Sequence, residues 1–571
     1  MERQLWQACF DGNVREVQKL LQYQQINTNY QNSLDWTSLY AACYKGHIEI
    51  VKLLLNDNRV DINKENKYSE TPFQITCYHG HTEIMILFLS DKRVDINKAN
   101  KFGSTHFYIV CEKGHVGIVK LLLNDKRVDI NKANKCGATP FYVACRKERI
   151  EIVKLLLNDN RVDINEALNG WSPFHNACKE GHIEIVKLLL NDQRVDINKA
   201  NTDDQTPFYI ACYNGHIDIV KLLLNDKRID INKALNTGGT PFYIACQNGH
   251  VEIVKLLLTG QRIDINIVLN GSWTPFSIAY YNGHIEIMKL LLNDQRIDPN
   301  KALNGGWTTF SNACYNGDIE SVKLLLNDQR VDINKTESEY GETPFYIACQ
   351  EGHIEIVKLL LNDKRVEINK TESEYGTTPF YIACQEGQIE IVKLLLNDKR
   401  VEINKGNDNE ATPFYIACQE GHMDIVKLLL NDQRVDINKA SNDGETPFYI
   451  ACWNGHLEIV KLLLNDQRVD VNKANDNGET PFYIACEHGQ IEIVKLLLND
   501  RRIDVNKADN GGWTPFYIAC CEGHLEIVKL LLNDQRVEIN KANDHNETPF
   551  LIACFYGHIE IVKYLLAYGK E

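Results

Sequence analysis

The sequence predicts an all-α solenoid in which short helix–turn–helix units, each with a projecting β-hairpin-like finger, stack in one row. A pattern of about 34 residues recurs from one end of the chain to the other. Each copy carries start and stop signals for two short helices, and no copy is long enough to bury a core alone. A fixed period of this size is typical of stacked repeats. We therefore expect one continuous array, although 571 residues would otherwise suggest several separate domains.

The repeat is marked by an anchoring Thr or Ser that occurs 16 times. Twelve of the 15 spacings are 34 residues, one is 33 and two are 35. The anchors are Thr37, Thr71, Thr105, Thr139, Ser172, Thr206, Thr240, Thr274, Thr308, Thr343, Thr378, Thr412, Thr446, Thr480, Thr514 and Thr548. Cys9 stands 34 residues before the equivalent Cys43, which adds a degenerate first unit. We expect an N-terminal capping unit at 1–36, fifteen repeats at 37–547 and a C-terminal capping repeat at 548–571.

Local signals place two helices in each unit, as the unit from Thr206 illustrates. Thr206 is a favourable N-cap, and Pro207 fits the first helical position, which holds 13 of the chain's 14 prolines. Gly215 suits the end of this first helix, because glycine adopts a positive φ readily. The segment 217–224 is apolar except along one stripe, which predicts a second helix clamped between neighbours. The segment 225–233 then turns outward as the finger.

These units resemble the ankyrin repeat. The matching residues are Thr240-Pro-Phe-Tyr-Ile-Ala-Cys246, Gly249-His250 and Leu256-Leu-Leu258, beside the family's Thr-Pro-Leu-His, Ala-Ala, Gly-His and Leu-Leu pattern. The resemblance covers essentially the whole chain. Tyr usually replaces the family's His and Phe its Leu, and the segment after the second helix is one residue longer. We expect the hydrogen bond of that His to be rebuilt or absent, and the superhelical twist, but not the fold, to be altered.

Composition narrows the class of protein. Apolar residues make up 44% of the chain and charged residues 24%, which excludes disorder, collagen and a membrane bundle. The net charge of −15 repels phosphate backbones and makes nucleic acid an unfavourable partner. The start of the chain has no signal-peptide pattern, and no apolar run approaches the ~20 residues that span a bilayer. We expect a cytoplasmic or nuclear protein that is not secreted and not inserted in a membrane.

The repeated cysteines and histidines favour structural roles. Sixteen of the 18 Cys share one position inside the first helix, where stacked equivalents about 8–10 Å apart exceed the ~7 Å reach of a disulfide. We expect buried thiols there, and chance surface thiols or reactive ones at Cys136 and Cys521. Twelve of the 17 His follow the turn Gly. A metal ladder is the alternative to a structural role, but other units hold Arg149, Asp318, Gln388 or Gln490 in this slot.

Catalytic signatures are missing from the sequence. It contains no Cys-x-x-Cys pair, no Gly-rich phosphate loop, no Gly-x-Ser-x-Gly elbow and no His-Glu-x-x-His pattern. We expect no catalytic residue, no cofactor, no metal and no small-molecule substrate. Most fingers carry an Asn near their base, including Asn63, Asn131 and Asn334. We expect a turn hydrogen bond from this Asn, and the family resemblance adds the alternative that an oxygenase hydroxylates it.

The resemblance implies protein binding on a concave face made of finger tips and of the two residues before the turn Gly. In this chain those two residues change from basic to aromatic to acidic along the array. Trp also precedes the anchor in five units, and Trp and Tyr are over-represented at binding hot spots. The alternative is that each Trp packs on the next finger. The predicted contact residues are Trp171, Tyr213, Trp273, Tyr281, Trp307, Tyr315, Glu351, Glu386, Glu420, Trp453 and Trp513.

The predicted function is a scaffold or adaptor that docks a partly basic, aromatic-seeking protein segment across units 8 to 12, the units anchored from Thr274 to Thr412. A second hypothesis is an elastic tether between larger partners. The near-identical units favour it, as do the twin fingers Thr336-Glu-Ser-Glu-Tyr-Gly and Thr371-Glu-Ser-Glu-Tyr-Gly. An enzyme is the third and least favoured class.

Overall fold

Two helices and a finger follow each other in every repeat of the computed structural model, which describes residues 1–260, 262–269, 273–303, 306–337 and 339–569. Ser338, in the first of the twin fingers, lies outside these residues. The chain divides into two compact units, residues 1–297 and 298–571. Each unit is an all-α stack of helix pairs, as the sequence predicts.

In the described part of 1–297, nine first helices pack each on the next, and nine second helices do the same. The first helices are α1 (Glu2–Asp11), α3 (Ser38–Lys45), α5 (Pro72–His79), α7 (His106–Lys113), α9 (Pro140–Arg146), α11 (Pro173–Glu180), α13 (Pro207–Asn214), α15 (Pro241–Gln247) and α17 (Pro275–Tyr281). The second helices are α2 (Val14–Leu21), α4 (Ile48–Leu55), α6 (Thr82–Ser90), α8 (Val116–Asn124), α10 (Ile150–Leu157), α12 (Ile183–Asn191), α14 (Ile217–Leu224), α16 (Val251–Leu258) and α18 (Ile285–Leu292).

The described part of 298–571 continues with eight pairs of the same kind. The first helices are α19 (Thr309–Tyr315), α21 (Pro344–Gln350), α23 (Pro379–Gln385), α25 (Pro413–Glu420), α27 (Pro447–Trp453), α29 (Pro481–Glu487), α31 (Pro515–Cys521) and α33 (Pro549–Phe555). The second helices are α20 (Ile319–Leu326), α22 (Ile354–Leu361), α24 (Ile389–Leu396), α26 (Met423–Leu430), α28 (Leu457–Leu464), α30 (Ile491–Leu498), α32 (Leu525–Leu532) and α34 (Ile559–Tyr568).

The first helices begin and end where the sequence signals predict. The Thr206 hydroxyl accepts a hydrogen bond from the Tyr209 N–H at 3.1 Å, and Pro207 occupies the first helical position. Gly215 adopts φ 78°, and its N–H donates to the carbonyl of Ala211. Local chemistry therefore sets the length of the helix before any packing is considered.

The core runs between the two layers of helices. In the unit from Thr206, Phe208 from the first helix and Val220 and Leu223 from the second are at most 1% exposed. Ile229 and Ile231 of the finger base are also buried and extend the core outward. Burial of each of these side chains contributes about 1.5–3 kcal/mol to the free energy of folding. Much of the buried surface faces the neighbouring repeat.

The fingers are turns and contain no named strand among the described residues. Only two isolated β-bridges occur there, Leu168 with Trp171 and Leu269 with Trp273. Side chains replace the strand ladder: the Asn66 Oδ1, for example, accepts hydrogen bonds from the N–H groups of Tyr68 and Glu70. The hairpin-like fingers of the prediction are therefore closed by side-chain caps.

A histidine side chain links many of the repeats to the preceding one. The His250 Nε2 lies 2.9 Å from the carbonyl of Tyr213, and its ring lies against Gly215, where a Cβ would come within 2.7 Å of the ring. Arg149, Gln388 and Gln490 donate to the equivalent carbonyls from their own N–H groups. The residue in this slot varies because Arg and Gln also supply an N–H donor to the carbonyl. Asp318, which has no donor, caps its own helix by accepting from the Ser321 N–H.

Two further ladders connect consecutive repeats on the finger side. The Asn198 side chain donates to the carbonyl of Arg228 at 2.7 Å and accepts from the Asp230 N–H at 2.9 Å. Asn63, Asn131 and Asn334 make the same pair of bonds. The sequence predicts this finger Asn as a turn residue. The structure shows that its side chain also connects the finger to the next repeat.

Arginine forms the second ladder. The Arg228 guanidinium pairs with Asp226 and reaches back to the carbonyl of Leu190 at 2.8 Å, in the last turn of α12. It satisfies a helix C-terminal carbonyl that has no partner within its own helix.

All 18 cysteines are free thiols, as predicted, and 15 of the 16 at the repeated position are buried. Burial raises the pKa of the Cys43 thiol to about 12. Cys554 is the exception, because it is exposed on α33, where no further first helix covers it among the described residues. Cys136 is exposed and Cys521 is half-buried.

Replacing Gly215 by Ala should destabilise the helix pair α13–α14 by about 1–3 kcal/mol, because a Cβ strains a positive φ and collides with His250. Hydrogen exchange of residues 207–224 measures this as faster local opening. Gly117→Ala is the matched control, since its Cβ meets open space and alanine favours the helix by about 0.5–1 kcal/mol. Equal exchange in the two variants would contradict the role assigned to the Gly–His contact.

Candidate protein-binding face

The finger tips and the last turns of the first helices share one surface, which we call the finger face. In residues 298–571 this face contains a cleft of about 460 Å³, lined from the fingers by Tyr340, Glu342 and Tyr375 and from helix ends by Glu386 and Glu420. Tyr346, Glu372, Glu374 and Tyr381 also line it. Aromatic rings and carboxylates therefore converge in one concavity, which suits a cationic or aromatic guest.

Buried carboxylates hold the twin fingers in shape. Glu372 is only 5% exposed, and its carboxylate accepts hydrogen bonds from the N–H groups of Glu374, Tyr375 and Thr377. Other fingers use the shorter Asn for this task and close one residue earlier. Glu reaches across the additional residue, which explains why these units measure 35 residues. The same closure leaves the Tyr375 side chain 59% exposed at the cleft.

Glu342 carries an unusual carboxylate. Burial raises its pKa to about 7, and the negative charges of Glu337, Glu372 and Glu351 act in the same direction. Its carboxylate accepts no hydrogen bond from any residue that the structure describes. Near neutral pH the Glu342 carboxylate would therefore be stabilised by a proton or by a bound cation.

A tyrosine explains why Glu342 differs from its equivalents. Glu445 accepts a hydrogen bond at 2.7 Å from the hydroxyl of Tyr415 in the preceding repeat, and Glu70, Glu479 and Glu547 are held in the same way. The repeat before Glu342 has Ser311 at this position. In these repeats the Tyr hydroxyl donates to the Glu of the next repeat, and its absence at Ser311 leaves Glu342 without this donor. His175, the one histidine three residues after an anchor and the match to the family's His, has its ring nitrogens within hydrogen-bond distance of the Ser172 hydroxyl and the carbonyl of Gln205.

The Trp residues before the anchors pack within their own repeats. The Trp307 and Tyr315 rings meet edge-on at 5.5 Å, and the Trp273 and Tyr281 rings do so at 5.2 Å. In each pair the Trp is half-buried, while Tyr315 and Tyr281 remain 48% and 71% exposed. Each Trp therefore has a ring partner within its own repeat, and the rings form partly exposed aromatic ridges on the finger face.

The other predicted aromatic residues are also on this face, with different surroundings. Trp171 packs against His175 and under the ammonium of Lys179, at 5.9 and 4.9 Å. Tyr213 is exposed and stacks on Tyr209. Trp453 contacts Tyr449 and, from the next repeat, His488. Trp513 stacks on Tyr517 and borders an apolar cavity of about 510 Å³ with Leu551 and Phe555.

The structure brings together only part of the predicted set. Glu386 and Glu420 line the cleft, and Glu351 is exposed beside it and contributes to the raised pKa of Glu342. Tyr315 ends α19, which packs against α21, and Trp307 lies two residues before this helix begins. Trp273 and Tyr281 belong to residues 1–297, so they are a separate feature.

Sequence reasoning missed Glu342, Tyr340 and Tyr375. The signal for Glu342 was the loss of a repeated Tyr at Ser311, three residues after the anchor Thr308. The twin fingers were noticed for their repetition, and their exposed tyrosines were not assigned to binding. Among the described residues, no group of three or more His, Cys, Asp or Glu side chains is arranged to hold a metal ion. No helix in the same residues is both long and apolar enough to cross a membrane.

Regular helix pairs joined by side-chain ladders define a helical-repeat protein. The comparison with protein families agrees. A model described as ankyrin repeats (3 copies) matches residues 5–100, 74–167, 158–235, 230–302, 310–407, 399–475, 467–543 and 502–571. The chain belongs to the ankyrin repeat family. Only ankyrin repeats are found in it, and the search of curated proteins returned no match.

Proposed function

We propose that this chain is a non-catalytic scaffold or adaptor that binds a partner protein along its finger face. The observation that carries the proposal is the cleft at residues 340–420, where unpaired carboxylates and exposed tyrosines meet. Glu342, Glu386 and Glu420 form no ion pair with any residue that the structure describes. Ankyrin repeats are typically protein-binding modules, which supports the same class of function.

The partner we infer is a protein segment that carries Lys or Arg together with aromatic side chains. Its cations meet the cleft carboxylates, and its rings contact Tyr375 and the ridge formed by Trp307 and Tyr315. A preformed surface lowers the ordering cost of association. The net charge of −15 disfavours nucleic acid as the partner. Eighteen free thiols suit a reducing compartment, the cytosol or nucleus.

Removing either part of this surface should weaken capture of a cationic peptide. We expect Trp307→Ala with Tyr315→Ala, and separately Glu386→Gln with Glu420→Gln, to raise the Kd for a labelled Arg- and Trp-containing peptide about tenfold. Fluorescence anisotropy measures the Kd, and thermal unfolding checks that stability changes little, because these side chains are partly exposed.

The matched control removes two carboxylates from the opposite face. Glu355→Gln with Glu390→Gln changes the net charge equally but alters the second helices, where each Glu pairs with a Lys. Binding should stay within about twofold of the unmodified chain. The proposal fails if this control weakens capture as much as the cleft variant does.

Capture should also depend on pH through Glu342. Its pKa lies above the ordinary value, so the folded state favours the protonated carboxyl. The stabilisation of the fold by this protonation is lost as the pH rises through about 7. A bound cation reverses that preference. Peptide affinity should therefore fall as the pH drops from about 8 to about 6, and Glu342→Gln should flatten this dependence. An unchanged pH profile in Glu342→Gln would rule out its involvement.

The repeated ladders favour a second candidate, an elastic tether between larger partners. Asn63, Asn131 and Asn198 make the same bonds to the next repeat, so many junctions carry nearly equal loads. In single-molecule stretching, a tether should extend and recoil reversibly, with the same force curve after the Trp307→Ala and Tyr315→Ala changes. Peptide capture that depends on those two residues would favour the adaptor instead.

A further inference from the structure

The finger face of residues 1–297 differs from the cleft in the sign of its free charges. Lys45, Lys101 and Lys113 have no ion pair with any described carboxylate, and each ammonium lies over an aromatic ring instead. The distances from Nζ to the ring centroids are 4.5 Å from Lys45 to Phe10, 4.2 Å from Lys101 to Tyr68 and 3.8 Å from Lys113 to Tyr78. These three cations are held in place and left without counter-charges.

Lysines on the second helices provide the contrast. Lys52 pairs with Glu49 at 2.7 Å, Lys154 with Glu151 at 2.8 Å and Lys187 with Glu184 at 2.7 Å. These three second-helix lysines are therefore paired with carboxylates, whereas Lys45, Lys101 and Lys113 are not. Such pairs add little stability, but they remove a cation as a docking point.

The Tyr78 ring beneath Lys113 belongs to a cluster of aromatic rings that also includes His79 and Tyr44. Tyr44 meets His79 edge-on at 4.8 Å, and His79 meets Tyr78 at 5.2 Å. Tyr78 is 45% exposed, so the surface is apolar as well as basic. Burial lowers the pKa of His79, and the positive charges of His81, Lys113 and His115 lower it further. The surroundings of this ring are thus electropositive.

We propose that Tyr44, Lys45, Tyr78, His79, Lys101 and Lys113 form a second docking surface, which binds an acidic protein segment with interspersed apolar side chains. Charge complementarity selects the carboxylates, and the exposed rings accept the apolar side chains. Glu112, beside Lys113 on α7, would repel a continuous phosphate backbone and so favours a peptide over nucleic acid. This inference goes beyond the proposed function, because it concerns the other unit and a partner of opposite charge.

The spacing of the cations adds a length requirement. Lys45 and Lys113 end first helices two repeats apart, about 20 Å at ~10 Å per packed helix. An extended segment advances about 3.3 Å per residue, so carboxylates about six residues apart match the two ammoniums. A segment with closer carboxylates reaches only one of them.

The test measures binding of two fluorescent peptides by anisotropy, using the full chain at low and at physiological salt. Both peptides have the same Glu, Leu and Ser composition, but their Glu pairs are about six or about two residues apart. We expect tighter binding of the longer spacing, and about tenfold weaker binding after Lys45→Gln with Lys113→Gln. Lys45→Arg with Lys113→Arg should restore it, since Arg also carries charge over a ring.

The control variant is Lys92→Gln with Lys120→Gln, two exposed lysines outside this surface that also have no ion pair among the described residues. It should change binding by less than about twofold. Equal losses in the two Gln variants would overturn the proposal. Tighter binding of a single-stranded oligonucleotide at the same site would also overturn the proposal. A third contrary result is that the peptide does not bind and the chain self-associates in a way that Lys45→Gln with Lys113→Gln abolishes. Capture of cationic peptides by the 340–420 cleft is measured in parallel and is expected to be unaffected.

Discussion

The contact between one repeat and the next is the interaction on which the rest of the structure depends. A single unit of about 34 residues has two short helices and cannot bury Phe208 or Leu223 by itself. Stacking buries them, and three side-chain links hold the stack in register: the His250 ring on Gly215, the Asn198 amide on the next finger, and the Arg228 guanidinium on the preceding helix. Because these links satisfy backbone carbonyls, their loss leaves polar groups without partners as well as removing contacts.

The repeated junction leaves one face free to vary. Positions that form junctions hold nearly the same residue in every unit, whereas finger tips and helix ends do not. The consequence is two surfaces of opposite charge on similar backbones: free lysines over rings in residues 1–297 and free carboxylates beside tyrosines in residues 298–571. Glu342 lacks a hydrogen bond that its equivalents have. The preceding repeat has Ser311 in place of the tyrosine whose hydroxyl, in Tyr415, donates to Glu445.

Most of the fold was predictable from the sequence, and the reason is visible in particular residues. Thr206, Pro207 and Gly215 act through their own backbone, so their effect does not depend on what packs nearby. The exposure of Cys554 was not predictable from its repeat position, since burial there depends on a neighbour. Trp307 was assigned to binding for its type alone, whereas its contact with Tyr315 in the same repeat depends on how the finger folds back. Glu342 was not predicted as a site residue, because its unusual carboxylate results from the absence of a tyrosine in the preceding repeat.

The sequence by itself determined the period, the two helices of each unit, the family and the residue types that vary, because these depend on local chemistry repeated at fixed spacing. Only the tertiary structure decided which of the varied residues meet. It placed Tyr340 and Tyr375 beside Glu386 and Glu420, and it set Lys113 over Tyr78. These contacts join side chains from different repeats, and their distances follow from how the units stack, which no single unit encodes.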